Sequence, residues 1–156
     1  MQSREPRRIV LAIHGRHARA ILAGSKTHEL RRRLPALSAG DCVYLYETAP
    51  ESAVIGGFRV KGVRRECPKA MWDLVGEDGF KISKSEFQAY VDGATEVVAI
   101  EVADPFRLRR SASVAELAGV DSAFRPPQSA TFLRSSTLLA HLQALARSLH
   151  SVTASA

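Results

Sequence analysis

I-L-A-G-S-K-T-H-E-L-R-R-R-L, residues Ile21 to Leu34, is the stretch from which the rest of the chain is interpreted. An apolar helical turn ends at Gly24, which can take the left-handed conformation that closes a helix. Lys26 follows in the loop, where a position just past a helix stop is expected to be exposed. Thr27 to Arg33 then has a β-branched residue, no Gly or Pro, and charges too dense for a buried segment, which suits a short strand with one wet face. On that strand Glu29, Arg31 and Arg33 point one way, and His28, Leu30 and Arg32 the other. Lys26, Glu29 and Arg31 can therefore converge on one pocket. Four cations around a single carboxylate suit a phosphate ligand. They equally suit a solvated edge strand that its charges guard against aggregation. The stretch alone favours the edge strand by a small margin.

The charge distribution bears on that choice. The chain has 156 residues, enough for one domain with a real core, and its 46% hydrophobic and 24% charged content is ordinary for a globular protein. Its formal charge of +6 is concentrated at one end: residues 1–33 hold nine Lys or Arg against Glu5 and Glu29, a net of +7, and the remainder nets −1. A local basic field of this kind favours a polyanionic partner. Cys42 and Cys67 lie far apart with no Cys-x-x-Cys pattern, as expected for reduced thiols in a cytoplasmic protein. The apolar run Ile9 to Ile13 is too short for a signal peptide or a membrane span, so no membrane association is expected.

Working outward, Arg7 to Ile13 is expected to be a buried strand, and His14-Gly15-Arg16 the turn into a helix carrying Ala18, Ile21 and Leu22. Beyond the central stretch, Cys42 to Tyr46 alternates Cys, Tyr and Tyr on one face with Val and Leu on the other. Ala53 to Val63 reads as a long strand bulged at Gly56-Gly57, as where a sheet curls into a small barrel. Pro68 suits the first turn of a helix with Ala70, Met71, Leu74 and Val75 on its apolar face, and Gly76 to Gly79 breaks it. Ser83 with Glu86 forms a capping box for a helix to about Val91. Thr95 to Val102 is a strong strand, Arg107 to Arg110 a candidate short one, and Ser113 to Leu117 a brief helix. Phe124 to Gln128 is extended by its prolines. Leu138, Leu142, Leu145 and Leu149 mark an amphipathic C-terminal helix, whose leucines are expected to serve the protein's own core. Residues 1–6 and 151–156 are expected to be flexible. The pattern is an α+β domain.

Two chemistries are set aside. Gly24-Ser25-Lys26-Thr27 lacks the glycines of a phosphate-binding P-loop. The five histidines, among them His14 and His17, form no recognisable metal set with either cysteine, and no metal or cofactor is expected.

The succession L-A-I-H-G-R-H-A-R-A-I-L-A-G-S-K-T-H-E-L-R-R-R, G-D-C-V-Y-L-Y and V-I-G-G-F-R-V resembles the ASCH domain of the PUA-like superfamily. M-W-D-L, S-K-S-E-F-Q-A-Y-V-D-G, V-V-A-I-E-V and P-P-Q-S-A-T-F-L continue the resemblance, which spans roughly Ile9 to Leu133 and is most specific at G-x-K-T-x-E-x-R. It implies a PUA-like small β-barrel with flanking helices over residues 7–133, with 134–150 as a helix packed on it. It also implies RNA or nucleotide binding in a cleft beside the motif. A small amidohydrolase of this type, which deacetylates N4-acetylcytidine, uses a Lys, a Thr three residues later and a more distant Glu. The Lys falls on Lys26 but the Thr falls on Glu29, so that set is not reproduced; for its Glu the chain offers Glu77 or Asp78. A ribonuclease activity has also been attributed to the family.

The leading expectation is a binding module in which Lys26 and Arg31, with Arg16 or Arg32, hold phosphate around Glu29, and Tyr46 or Trp72 offers a face for a base. Trp72, with Met71 and Leu74, equally suits a core position, as do Tyr44 and Tyr46. The alternative is a hydrolase acting on a modified nucleoside or on RNA, with Lys26 and Glu29 as its catalytic pair. Against it stands the reading more common for such spacing, in which the same pair is a structural ion pair that sets the loop.

Overall fold

The structure is a computed structural model that describes residues 4–153, with side chains through Ala146; the expected flexible ends at residues 1–3 and 154–156, and the Leu149 side chain, lie outside the described residues. Six strands run β1 (Arg8–Ile13), β2 (His28–Arg31), β3 (Cys42–Glu47), β4 (Ala53–Glu66), β5 (Val97–Ser113) and β6 (Ala130–Phe132). Six helices join them: α1 (Gly15–Leu22), α2 (Pro68–Leu74), α3 (Gly76–Phe80), α4 (Lys84–Val91), α5 (Val114–Val120) and α6 (Ser136–Thr153). The strands form one mixed sheet in the order β2-β5-β4-β3-β1-β6, in which only β1 and β3 are parallel. It curls into a half-barrel, the α+β PUA-like architecture.

The curl follows from local chemistry in β4. Its pairing slips between Leu45 and Tyr46 on β3, and between Val54 and Gly56 and again between Gly57 and Arg59 along β5. A Cβ on Gly56 would fall 2.3 Å from the Phe106 carbonyl oxygen, and one on Gly57 2.3 Å from that of Val43. Backbone approaches that close admit only glycine, and the bulges they permit bend and coil the strand.

Alternation along β1 and β3 separates two cores. Val10, Ala12, Tyr44 and Tyr46 face α6, where Leu138, Leu142 and Leu145 are buried, so the described part of this helix does serve the protein's own core. Ile9, Leu11, Ile13, Val43 and Leu45 face the inside of the half-barrel, covered by Ala18 and Ile21 of α1. A third cluster, with Leu30, Met71, Phe80, Phe87 and Val97, lies under α2 to α4.

Several elements differ from the sequence expectation. Gly76 to Gly79 is not a simple break but the start of α3, since Gly76 absorbs a left-handed φ of +69° and the chain turns again into helix. The strand expected over Thr95–Val102 and the one over Arg107–Arg110 are one continuous strand, β5, because β4 pairs along its whole length. Helix α6 extends past Leu149 to Thr153. Pro68 at the first turn of α2 and the Ser83–Glu86 capping box of α4 are as expected. Among the described residues no helix is long and apolar enough to cross a membrane.

Asp41, 1% exposed, fastens the segment before β1 to the loop before β3. It accepts from the Arg4 guanidinium at 2.8 and 3.1 Å and from the backbone amides of Arg7 at 2.8 Å and Ser38 at 2.9 Å. Burial works to raise its carboxyl, but these donors outweigh it and hold the group below its ordinary 3.8. A depressed folded-state value adds stability that is present above the unfolded value and lost as pH falls through the folded one.

Three outcomes follow from this packing. Gly57→Ala should lower stability by at least ~1–3 kcal/mol in urea denaturation, because the added methyl meets backbone rather than a movable side chain. Gly119→Ala, in α5 with no atom within 4 Å, should be neutral or stabilise by ~0.5–1 kcal/mol. Asp41→Asn should destabilise at neutral pH, and the gap to the wild type should close only as pH falls below 3.8, the window in which Asp41 itself protonates. A gap that stayed constant down to the acid transition would mean the charge is not what Asp41 contributes.

Candidate functional site

The half-barrel leaves a seam between β2, at one edge of the sheet, and the C-terminal end of β1, near the other. A cleft of about 590 Å³ opens there. Ala12, Ile13 and His14 line it from the end of β1, His17 from α1, and Thr48 from the end of β3. Ile82, Glu86, Ala89 and Tyr90 come from α4 and the turn before it, and Gln128 from the proline-rich loop.

Lys26, Glu29 and Arg31 form its floor. Contrary to the expected exposure, Lys26 is 2% exposed and Glu29 5%. The Lys26 ammonium donates to the Phe80 carbonyl oxygen at the end of α3 and sits 3.5 Å from Glu29 Oε1. Arg31 Nε donates to Glu29 Oε2 at 2.8 Å, and Arg31 Nη2 donates across the seam to the Ala12 carbonyl oxygen at 2.7 Å. The backbone sets this up: Gly24 takes a left-handed φ of +84° after α1, and the Lys26 amide then donates back to the Ala20 carbonyl. The Thr27 amide donates to Gly79 O, and its own carbonyl accepts from Val102 N, so Lys26 is turned under α3. One carboxylate thus serves a buried and a partly buried cation. Burial pushes the Lys26 ammonium below the ordinary lysine range, against the pull of Glu29.

The floor keeps unused hydrogen-bonding capacity. An ammonium has three N–H donors and a guanidinium five. Lys26 commits two to Phe80 and Glu29, and Arg31 commits two to Glu29 and Ala12, so both can still donate into the cleft. On the wall, His17 is held below the ordinary imidazole value by burial and then by the Lys26 charge, so it is neutral at physiological pH.

The other expected site residues lie elsewhere or at the rim. Arg16 is exposed and pairs with Glu86 at 2.6 Å, a rim contact between α1 and α4. Arg32 turns outward and donates to the carbonyls of Tyr90 and Asp92, closing the C-terminal end of α4. Tyr46 is 7% exposed in the core beneath α6, and Trp72 packs on Phe87, ring centroids 4.8 Å apart; neither lines the cleft. Glu77 and Asp78 are exposed on α3 and do not line it either. The aromatic face the cleft does present is Tyr90, 42% exposed. Tyr90 and Gln128 were visible only inside S-K-S-E-F-Q-A-Y and P-P-Q-S; no local pattern says that these segments meet. Among the described residues, no three His, Cys, Asp or Glu side chains gather as a metal site.

Of the nine N-terminal cations, Lys26 and Arg31 line the cleft and the others do not. Arg4 is spent on Asp41, Arg16 on Glu86, Arg19 lies 3.9 Å from Glu47, and Lys26 and Arg31 share Glu29.

A curled PUA-like half-barrel with a cleft at its seam, floored by the G-x-K-T-x-E-x-R residues, defines the class of protein. The family model of the ASCH domain matches residues 11–106, and the chain belongs to the ASCH domain family. It is similar to an ASCH domain-containing ribonuclease of Zymomonas mobilis subsp. mobilis, 29% identical over 125 residues that cover 80% of this chain and 83% of the relative. The crystal structure of ASCH from Zymomonas mobilis superposes with a TM-score of 0.79 at 28% identity, covering 86% of this chain and 94% of that one. Human THYN1, solved in complex with DNA containing 5-methylcytosine, shares the fold alone, with a TM-score of 0.54 at 11% identity over 88% of this chain and 96% of that one.

Glu29→Gln would leave the buried Lys26 and the partly buried Arg31 facing one another without their counter-charge. It should cost ~3–5 kcal/mol of stability, the usual loss when one partner of a buried ionic set is removed. Lys26→Met keeps the stem and leaves Glu29 with Arg31, so a smaller loss of ~1–3 kcal/mol is expected. Urea denaturation of both variants checks the order; Glu29→Gln as stable as the wild type would mean that the seam does not depend on this carboxylate.

Proposed function

We propose that the cleft binds one nucleotide of single-stranded RNA. The observation that carries this is the cleft floor: two cations, Lys26 buried and Arg31 partly buried, against one carboxylate, with more N–H donors than partners, beside a space of about 590 Å³. That volume lies in the ordinary range for small-molecule sites, ~300–1,000 Å³. An anion set against Lys26 and Arg31 balances the excess positive charge and restores the ammonium that burial disfavours. Tyr90 supplies a ring face for a base, and Gln128 and Thr48 supply amide and hydroxyl groups for its edge.

A second reading, that the cleft also cleaves RNA, is favoured by the similarity to the Zymomonas ribonuclease and by the neutral imidazole of His17 in the wall. His17 would take the proton of a ribose 2′-OH, whose oxygen then attacks the adjacent phosphorus as the bond to the 5′-oxygen breaks. The Lys26 ammonium would give the leaving oxygen its proton. Both oxygens of Glu29 are already occupied by cations, so its part in either reading is to position Lys26 and Arg31.

Tyr90→Ala should weaken binding of a mononucleotide by ~1–3 kcal/mol, the usual loss for one stacked base, with little change in melting temperature. Calorimetric titration measures it, and an unchanged affinity would remove the base from this cleft. Incubation of a short RNA with wild type and with His17→Gln separates the two readings. Cleavage abolished with binding retained makes the protein a ribonuclease, whereas intact RNA with wild-type protein leaves binding as its function.

A further inference from the structure

At the opposite end of β1 from the cleft, a hollow of about 320 Å³ is lined by Pro6, Arg7, Arg8, Phe132, Leu133 and Arg134. The Arg7 and Arg134 guanidinium carbons lie 5.7 and 5.0 Å from the centroid of the Phe132 ring, and Arg8 borders the same space. Among the described residues, none of the three guanidinium groups has a carboxylate oxygen within 4.0 Å, and that of Arg7 donates instead to the Ala36 carbonyl at 3.0 Å, whereas the guanidiniums of Arg4, Arg16, Arg19 and Arg31 each have one. Bringing two guanidiniums over one ring, with a third arginine bordering the same hollow and no counter-charge, costs electrostatic free energy, which a bound anion offsets. Edge-strand protection requires charge along a strand but not its convergence on an aromatic ring.

The hollow and the cleft are joined by one strand. Phe132 pairs with Ile9 and Ala130 with Leu11, and the Ser129 carbonyl accepts from the Ala12 amide at 2.7 Å, so the chain from Gln128 in the cleft passes through β6 to Phe132 in the hollow. Four residue steps join them, at most roughly 13 Å of chain. Among the described residues, the outer edge of β6 has no partner strand, which leaves backbone donors along that edge.

We propose that the hollow around Phe132 is a second subsite for single-stranded nucleic acid, in which Arg7, Arg8 and Arg134 bind the phosphates flanking the nucleotide held in the cleft. The proposal rests on the cleft reading above for the position of that nucleotide. It requires affinity to grow with strand length, because only a strand of several nucleotides reaches both places.

The test titrates a mononucleotide and a single-stranded RNA octanucleotide against wild type, Arg134→Gln, Arg8→Gln/Arg134→Gln and Arg134→Lys at several salt concentrations. Arg134 is exposed, so the single variant reports even if the double one melts early. The octanucleotide should bind the double variant about tenfold more weakly. Its salt slope should be shallower by roughly 0.7 for each lost phosphate contact. Mononucleotide binding should not change, and Arg134→Lys should retain most of the slope. Unchanged octanucleotide affinity and slope in both Gln variants overturns the proposal and leaves the cleft reading standing. Octanucleotide binding that the Gln variants lose, with no mononucleotide binding by wild type, upholds the hollow and overturns the cleft reading. If wild type binds neither ligand, both fall.

Discussion

The site depends on the carboxylate of Glu29. Its two oxygens take Lys26 and Arg31, and each cation passes the connection on: Lys26 to the Phe80 carbonyl under α3, Arg31 to the Ala12 carbonyl on β1. The sheet order leaves β2 and β1 without a backbone ladder between them, so side chains bridge the gap that hydrogen-bonded strands would close in a full barrel. Buried ions repay their desolvation only when every partner is present and well placed. The three residues are therefore a single unit.

That unit is held in place by glycines well outside it. If β4 were straight, the sheet would open and Arg31 would no longer reach Ala12. Gly56 and Gly57 let β4 cross the carbonyls of Phe106 and Val43 at a distance no side chain tolerates, and the bulges there coil the sheet. Gly24 performs the matching task locally, releasing the chain from α1 in the left-handed conformation that turns Lys26 inward. Curl and turn together make a seam narrow enough for one side chain to span, and the cleft is the space left beside it.

The legible parts of this arrangement were those with a local physical signature. The two-faced strand Cys42–Tyr46 reads directly from its alternation, because each face meets a different core. The bulge at Gly56-Gly57 and the capping box at Ser83 are stated by the residues themselves, and the grouping of Lys26, Glu29 and Arg31 follows from strand periodicity. The burial of Lys26 was not legible, since it depends on α3 arriving from 50 residues away to offer the Phe80 carbonyl. The Gly76–Gly79 helix was missed because glycine content outweighs a helix held by its neighbours. Arg32 follows the motif in sequence, yet strand alternation turns it to the end of α4, and no periodicity could name its carbonyl partners there. Tyr90, by contrast, shares a helix with Phe87 but points outward, so its place at the rim follows only once α4 is docked.

The concentration of positive charge in residues 1–33 takes on a different meaning in three dimensions. In sequence it is one basic field; in the fold, most of it is consumed by Asp41, Glu86, Glu47 and Glu29 in separate ion pairs. Two places keep uncompensated positive charge, in different environments. At the cleft floor the charge is buried, where solvent ions screen it little and its interaction with an anion is strong but short in reach. Around Phe132 Arg7 and Arg134 are exposed, where each contact is weaker and falls off with salt. A ligand that filled only the cleft would draw on the first kind of charge, and its affinity would change little with ionic strength. A strand lying along β6 would draw on both, so length dependence and salt dependence belong to the same arginines.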